Sequence, residues 1–345
     1  MFFKKLLSSI LSFFRENYKM LIFFMIFYIV ITFPLPYYVF TSGGITDLSK
    51  RFEIENGYTQ KGSYNLSYVN QLNGNVLTYL ISCIVPGMER VDIGNYQVNE
   101  DETYEELAIR DNLMLVSANQ YAVDIAYTKA NKKVTKTNFK LYVMAVYDIL
   151  KSDVKIKIGD IITEANGTHL DSYEELRNIV NNTNVGDSVV LTLVRGSSTY
   201  TANVEVIEIQ GGKYLGFQLF PSYDMEVEPK IKFNFKSSES GSSAGFMTAL
   251  AIYDTLIEED LTDGLKIAGT GTINSDGTVG PIGGVPYKLG GAVNGDADIF
   301  FIPSGENYEE AIKIKEEKNY DIEIVEIRSF DDAIEYLKSI KSEKE

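Results

Sequence analysis

The spacing of apolar positions changes several times along the chain, and each change predicts a different element. From Met20 to Phe40 the run "MLIFFMIFYIVITFPLPYYVF" contains no charge, and as a helix it is long enough to cross a hydrocarbon core. Residues 41 to about 98 mix short β-branched and tyrosine-rich runs with Gly and Asn, which predicts β structure. Between Glu102 and Ala130 the residues Leu107, Ile109, Leu113, Leu115, Ala118, Ala122 and Ile125 recur at a helical period. The next stretch reads as strand "FKLYVMAVYDIL", a strand in "IKIGDIITEANGTHL" turning at Asn166-Gly167, then helix "SYEELRNIVNN". Strands "DSVVLTLVRG" and "YTANVEVIEI" follow. Ser172 and Glu175 have the spacing of a capping box for that helix.

From near Gly212 strands and helices alternate, which predicts an α/β domain. "KIKFNFK" is a strand, "SSESGSSAG" a loop and "FMTALAIYDTLIE" a helix. "GLKIAGTGTINSDGTVGPIGG" is a hairpin turning at Ser275-Asp276-Gly277, and "VPYKLGGAVNG" is a helix with Pro286 in its first turn. "ADIFFIPS", "NYEEAIKIKEE", "IEIVEI" and "SFDDAIEYLKSI" continue as strand, helix, strand and helix, the last capped by Ser329.

At 345 residues the chain holds two or three globular units. A net charge of −16 repels phosphate backbones and argues against a nucleic-acid partner. Lys4, Lys5, Arg15 and Lys19 precede the apolar run. The positive-inside bias then keeps a leader of residues 1–19 cytoplasmic, makes residues 20–40 a single-pass anchor and places the remainder outside the cell membrane. A cleaved signal peptide is the alternative, and the long charged leader favours an anchor. The leader itself is either an amphipathic helix lying on the inner membrane surface or a disordered basic segment.

One cysteine, Cys83, excludes an internal disulfide framework, and its apolar neighbours predict a buried hydrophobe. One histidine, His169, excludes a His-rich metal cage, and its place in "NGTHLDS" predicts a solvated loop residue rather than a member of a Ser-His-Asp triad. No metal or other cofactor is expected. Ser243 stands where a loop enters a helix, beside the small residues Ala244 and Gly245. Read alone, it is either a helix cap or a nucleophile beside backbone N–H groups that can hold an oxyanion.

"IGDIITEANG" resembles the Gly-Asp and Asn-Gly pattern of bacterial PDZ domains, over residues 125–209. The resemblance implies a groove beside the helix where an extended peptide adds as a strand. A Gly-Ser-Pro-Ala stretch common in that family is here "YDILKSDVKIK", so the carboxylate-binding loop cannot be assigned. "GSSAG" and "GTGTINSDGTVGPIGGVPYKLGGA" resemble the serine and lysine motifs of the Lon proteolytic domain, over residues 212–340. Carried over, the nucleophile is Ser243, its base is Lys288 and the supporting threonine is Thr270, while Ser242 stands where the family has proline.

An unperturbed lysine has a pKa of ~10.4, so holding it neutral at pH 7 costs roughly 4.6 kcal/mol; burial lowers a lysine by ~3–5 units and removes that cost. No G-x-x-x-x-G-K-[ST] loop is present, so no ATP requirement is expected. Together these resemblances imply a membrane-anchored Lon-like serine endopeptidase of the Gram-positive type. Its fold would be an α/β proteolytic domain, a β-rich PDZ-like domain and an N-terminal transmembrane helix, with residues 41–124 as a membrane-proximal region. It would cut extracytoplasmic peptides or membrane-tethered proteins. A catalytically silent PDZ scaffold for envelope proteins is the alternative. Natural substrate, cleavage preference and oligomeric state are not readable.

Overall fold

The computed structural model describes residues 2–236 and 239–342, and the chain divides into two compact units. The first comprises residues 1–42 and 70–96; the second comprises residues 43–69 and 97–345.

In the first unit one helix, Phe2–Thr32, joins the basic leader to the front of the apolar run. It stops because Pro34 lacks an N–H and pushes Phe33 out of the helical region. From Pro34 the chain is extended, in the strand Pro34–Asp47. The expected membrane helix over 20–40 is therefore not formed as one element. Among the described residues no helix is long and apolar enough to cross a membrane. Tyr37 to Phe40 pair antiparallel with Asp92 to Glu89. The short helix Val76–Ser82 is closed by a reciprocal cap between Asn75 and Thr78, and it buries none of its residues. Cys83 follows that helix, so it is exposed rather than buried, and Arg90 Nη1 donates to its Sγ at 3.4 Å.

The second unit contains an α/β sheet whose order is Glu323–Ile327, Ile299–Pro303, Lys266–Gly269, then the strand that begins at Ser63. Neighbours from Glu323–Ile327 across to Ser63 run parallel. Alternate residues face opposite sides, and both sides are covered. Ile267, Ile299, Phe301 and Ile327 pack into one core with the helix Gly245–Leu256. Ala268, Phe300 and Ile302 pack into another with Val285, Leu289 and Ala292 of the helix Val285–Asn294. Two helices on opposite faces can bring their first turns together only at the sheet's end, and there the candidate site lies.

The structure departs from the expected boundaries in two places. Lys266 stands opposite Ser63 and Gly269 opposite Leu66, so residues preceding the PDZ-like segment supply a strand of the α/β sheet. Conversely, the strand Phe217–Glu228 pairs along Lys133–Val146. It forms an end of the PDZ-like sheet, whose order continues through Ile161–Ala165, Ser188–Arg195 and Ser198–Glu205.

In that sheet Asn166 and Gly167 turn with φ of 51° and 75°, the pair of positive values a type I′ hairpin needs. Ser172 caps the helix Tyr173–Asn182, but Glu175 reaches past it to accept from the N–H of Asp171 at 2.7 Å, so the expected box is half made. The helix Tyr104–Lys129 opens on a complete box between Thr103 and Glu106. It buries Leu107, Ala118, Ala122 and Tyr127, while Ile109 of the expected stripe faces solvent. In its place Arg110 is buried, paired with Glu102 at 2.8 Å.

Candidate active site

Ser243 lies two residues before the helix Gly245–Leu256, in which Ala244 is the N-cap and no side chain caps by hydrogen bond. The capping role open to a serine at such a seam is thus not taken by Ser243. The preceding loop is tied down at two points. Arg51 Nη2 pairs with Glu239 Oε1 at 2.6 Å, and the N–H of Gly241 donates to the Asp111 carbonyl at 3.2 Å. Gly241 has φ of 87°, a left-handed conformation suited to glycine. Behind the serine, Gly245 fits where a Cβ would stand 2.8 Å from Ile273 Cγ2 and 3.3 Å from Ala118 Cβ.

The N–H groups of Gly245 and Phe246 are engaged, with the carbonyls of Ser242 and Gly271, each at 3.1 Å. The donors left for an oxyanion narrow to the N–H groups of Ser243 and Ala244, which have no partner among the described residues. Ser242, beside the candidate nucleophile, is half-buried.

Lys288 sits in the first turn of the helix Val285–Asn294, started by Pro286. It is buried, at 5% exposure, and its Nζ donates to Thr270 Oγ1 at 3.1 Å. Burial pushes its pKa down to about 8, with no carboxylate opposing the shift. Thr270 is fully buried just past the central strand Lys266–Gly269. Its hydroxyl donates to the Ser243 carbonyl at 3.2 Å, and the Gly271 N–H donates to that same carbonyl at 2.9 Å.

One threonine therefore touches the amine and the serine's main chain. Among the described residues no hydrogen bond joins Ser243 Oγ directly to Lys288 Nζ.

Ser67 was not foreseen. Fully buried on the strand Ser63–Asn75, it donates to the Lys288 carbonyl at 2.5 Å. Only pairing between strands some two hundred residues apart puts it there, and no local pattern announces it. Close approach also holds the lysine helix: a Cβ on Gly291 would stand 3.1 Å from Gly44 backbone atoms. His169 is exposed on the hairpin strand Thr168–His169, 3.7 Å from Asp171. Among the described residues no three His, Cys, Asp or Glu side chains group to hold a metal ion.

Residues 122–206 match the family model of the PDZ domain, and residues 236–339 match that of the Lon protease (S16) C-terminal proteolytic domain. Among solved structures, the PDZ domain of an SdrC-like protein from Listeria monocytogenes is 28% identical, over 23% of this chain and 85% of that one, with a TM-score of 0.21. The corresponding domain from Listeria innocua is 26% identical, over 23% of this chain and 92% of that one, also with a TM-score of 0.21. No curated protein matches the chain. The chain thus carries a PDZ domain followed by a Lon-type serine-protease domain, and the Ser243, Thr270 and Lys288 cluster lies within the latter.

Proposed function

We propose that the chain is an ATP-independent serine endopeptidase working through a Ser-Lys dyad. The observation that carries this reading is the amine of Lys288, buried without a counter-charge and held by Thr270 beside the serine loop. With a pKa of about 8, the neutral form costs about 1.4 kcal/mol at pH 7, far below the cost for a solvated lysine. Neutral Nζ takes the proton as Ser243 Oγ attacks the scissile carbonyl carbon, and the N–H groups of Ser243 and Ala244 receive the oxyanion. The C–N bond then breaks, the lysine returns the proton to the leaving amine, and water hydrolyses the acyl-serine by the same route in reverse.

The PDZ domain presents the substrate. Phe217–Glu228 is an end strand of its sheet, with main-chain groups to which an extended peptide can add. Seating on a membrane is supported by the first unit's exposed apolar surface. Phe23, Met25, Phe27, Tyr28 and Ile29 on the long helix are more than half exposed, and Leu80 and Ile84 around the short helix are 51% and 80% exposed. Large apolar side chains exposed next to one another on a chain otherwise rich in charge mark a lipid or partner surface. With the basic leader on the cytoplasmic side, the proteolytic domain faces the cell exterior and meets secreted or membrane-tethered polypeptides.

The test is proteolysis of an unstructured protein by the purified full chain, without nucleotide. Cleavage abolished in both Ser243→Ala and Lys288→Ala is expected. Cleavage unchanged in either variant removes the dyad, and no cleavage by the native chain favours a silent PDZ scaffold.

A further inference from the structure

The free edge of Phe217–Glu228 is occupied at one place. Gln120, from the middle of the helix Tyr104–Lys129, donates from Nε2 to the Pro221 carbonyl at 2.9 Å. Its Oε1 accepts from the Tyr223 N–H, also at 2.9 Å. These two main-chain groups are separated by one residue, so they lie on the same edge of the strand. A carbonyl on one residue and an N–H two residues on are what a neighbouring strand uses in an antiparallel ladder. The side-chain amide has the donor and the acceptor of a peptide unit and takes both positions.

Earlier in the same strand the situation differs. Val143, opposite Leu219, uses its own N–H and C=O on Asp160 and Gly159, and Leu219 lies two residues before Pro221, so the main-chain groups of Leu219 turn to the same outer edge. Among the described residues no turn, loop or side-chain hydrogen bond reaches Leu219 from outside the sheet. The edge is therefore open before Pro221 and closed from Pro221 to Tyr223. Pro221 has no N–H to offer in any case, which leaves its carbonyl as the group to be covered.

We infer that Gln120 is a strand stop, a specificity-determining residue that limits a peptide added to this edge to about four paired residues. The inference rests on the strand-addition reading above. Longer pairing requires the carboxamide to leave Pro221 and Tyr223. Gln120 shares its helix with Ala118, the residue that backs Gly245 beside the candidate nucleophile.

The test uses the full chain in detergent and fluorescein-labelled peptides of alternating valine and serine, four, six and eight residues long, with binding read by anisotropy. In the native chain the eight-residue peptide is expected to bind within about two-fold of the four-residue one. In Gln120→Ala, two main-chain groups become available and the eight-residue peptide should gain roughly five-fold or more over the shorter one. Gln120→Glu keeps the acceptor for Tyr223 but loses the donor to Pro221, so it should fall between the two, and it serves the comparison if the alanine variant does not fold. Equal length dependence in native and variant chains overturns the stop while leaving strand addition standing. If no peptide binds to any of the three, strand addition and the stop fall together.

Discussion

Lys288 is where burial and chemistry oppose each other most directly. Its pKa in the folded chain is about 8 against 10.5 when free, so the unfolded chain binds more protons between those values and stability rises with pH across that window. Below pH 8 both states are protonated and the full desolvation cost of the ammonium opposes folding. Lys288→Met should therefore raise thermal stability at pH 7 by up to about 3 kcal/mol, the gain shrinking as pH climbs from 8 towards 10.5, in melts compared across that range. Activity takes the opposite demand, because only the uncharged amine accepts a proton. We expect kcat/KM of the native chain to rise about tenfold per pH unit below 8 and to level above it; a profile flat from pH 6 to 9 would show that another group is the base. The pair Ser243 and Lys288 was named through the resemblance carried by "GSSAG" and "PIGGVPYKLGGA", and Thr270 touches both the amine and the serine's main chain. Ser67 and Arg51 were not, since each reaches the site from a distant strand or loop whose local sequence carries no mark of it.

At the scale of elements, helices and hairpins were readable because their determinants are local. The cap at Ser172 and the Asn166-Gly167 turn lie within a few residues of what they shape. Pairing between strands is not local. Residues 63–66 join the α/β sheet opposite 266–269, and Phe217–Glu228 joins the PDZ sheet instead, because the partners were chosen by burial across the whole chain. The apolar run over 20–40 has the length of a membrane crossing, but Pro34 and Pro36 end its helix at Thr32. The serine helix also depends on contact between elements. Gly245→Ala would press a methyl group to within 2.8 Å of Ile273 and 3.3 Å of Ala118. The variant should lose roughly 1–3 kcal/mol, read as a lower urea midpoint at unchanged slope, and proteolysis should fall with it as the Ser243 loop shifts.

For the whole molecule, the proposed membrane seat lies in the first unit and the proposed dyad in the second, so the two properties should separate. Phe23→Glu combined with Phe27→Glu places charge on exposed apolar helix positions, and the double variant should lose co-sedimentation with vesicles while keeping peptide cleavage in detergent. Retained sedimentation would move the attachment elsewhere. A different division follows from the strand that begins at Ser63. Residues 236–339 hold every side chain of the candidate dyad, yet excised on their own they would leave Lys266–Gly269 without its neighbour on one side and strip Leu48, Phe52, Tyr64 and Tyr127 from the core beneath the serine helix. Such a fragment would present a raw, sticky margin and precipitate or swap strands. The PDZ domain is thus interposed between two pieces of one sheet rather than threaded in front of it.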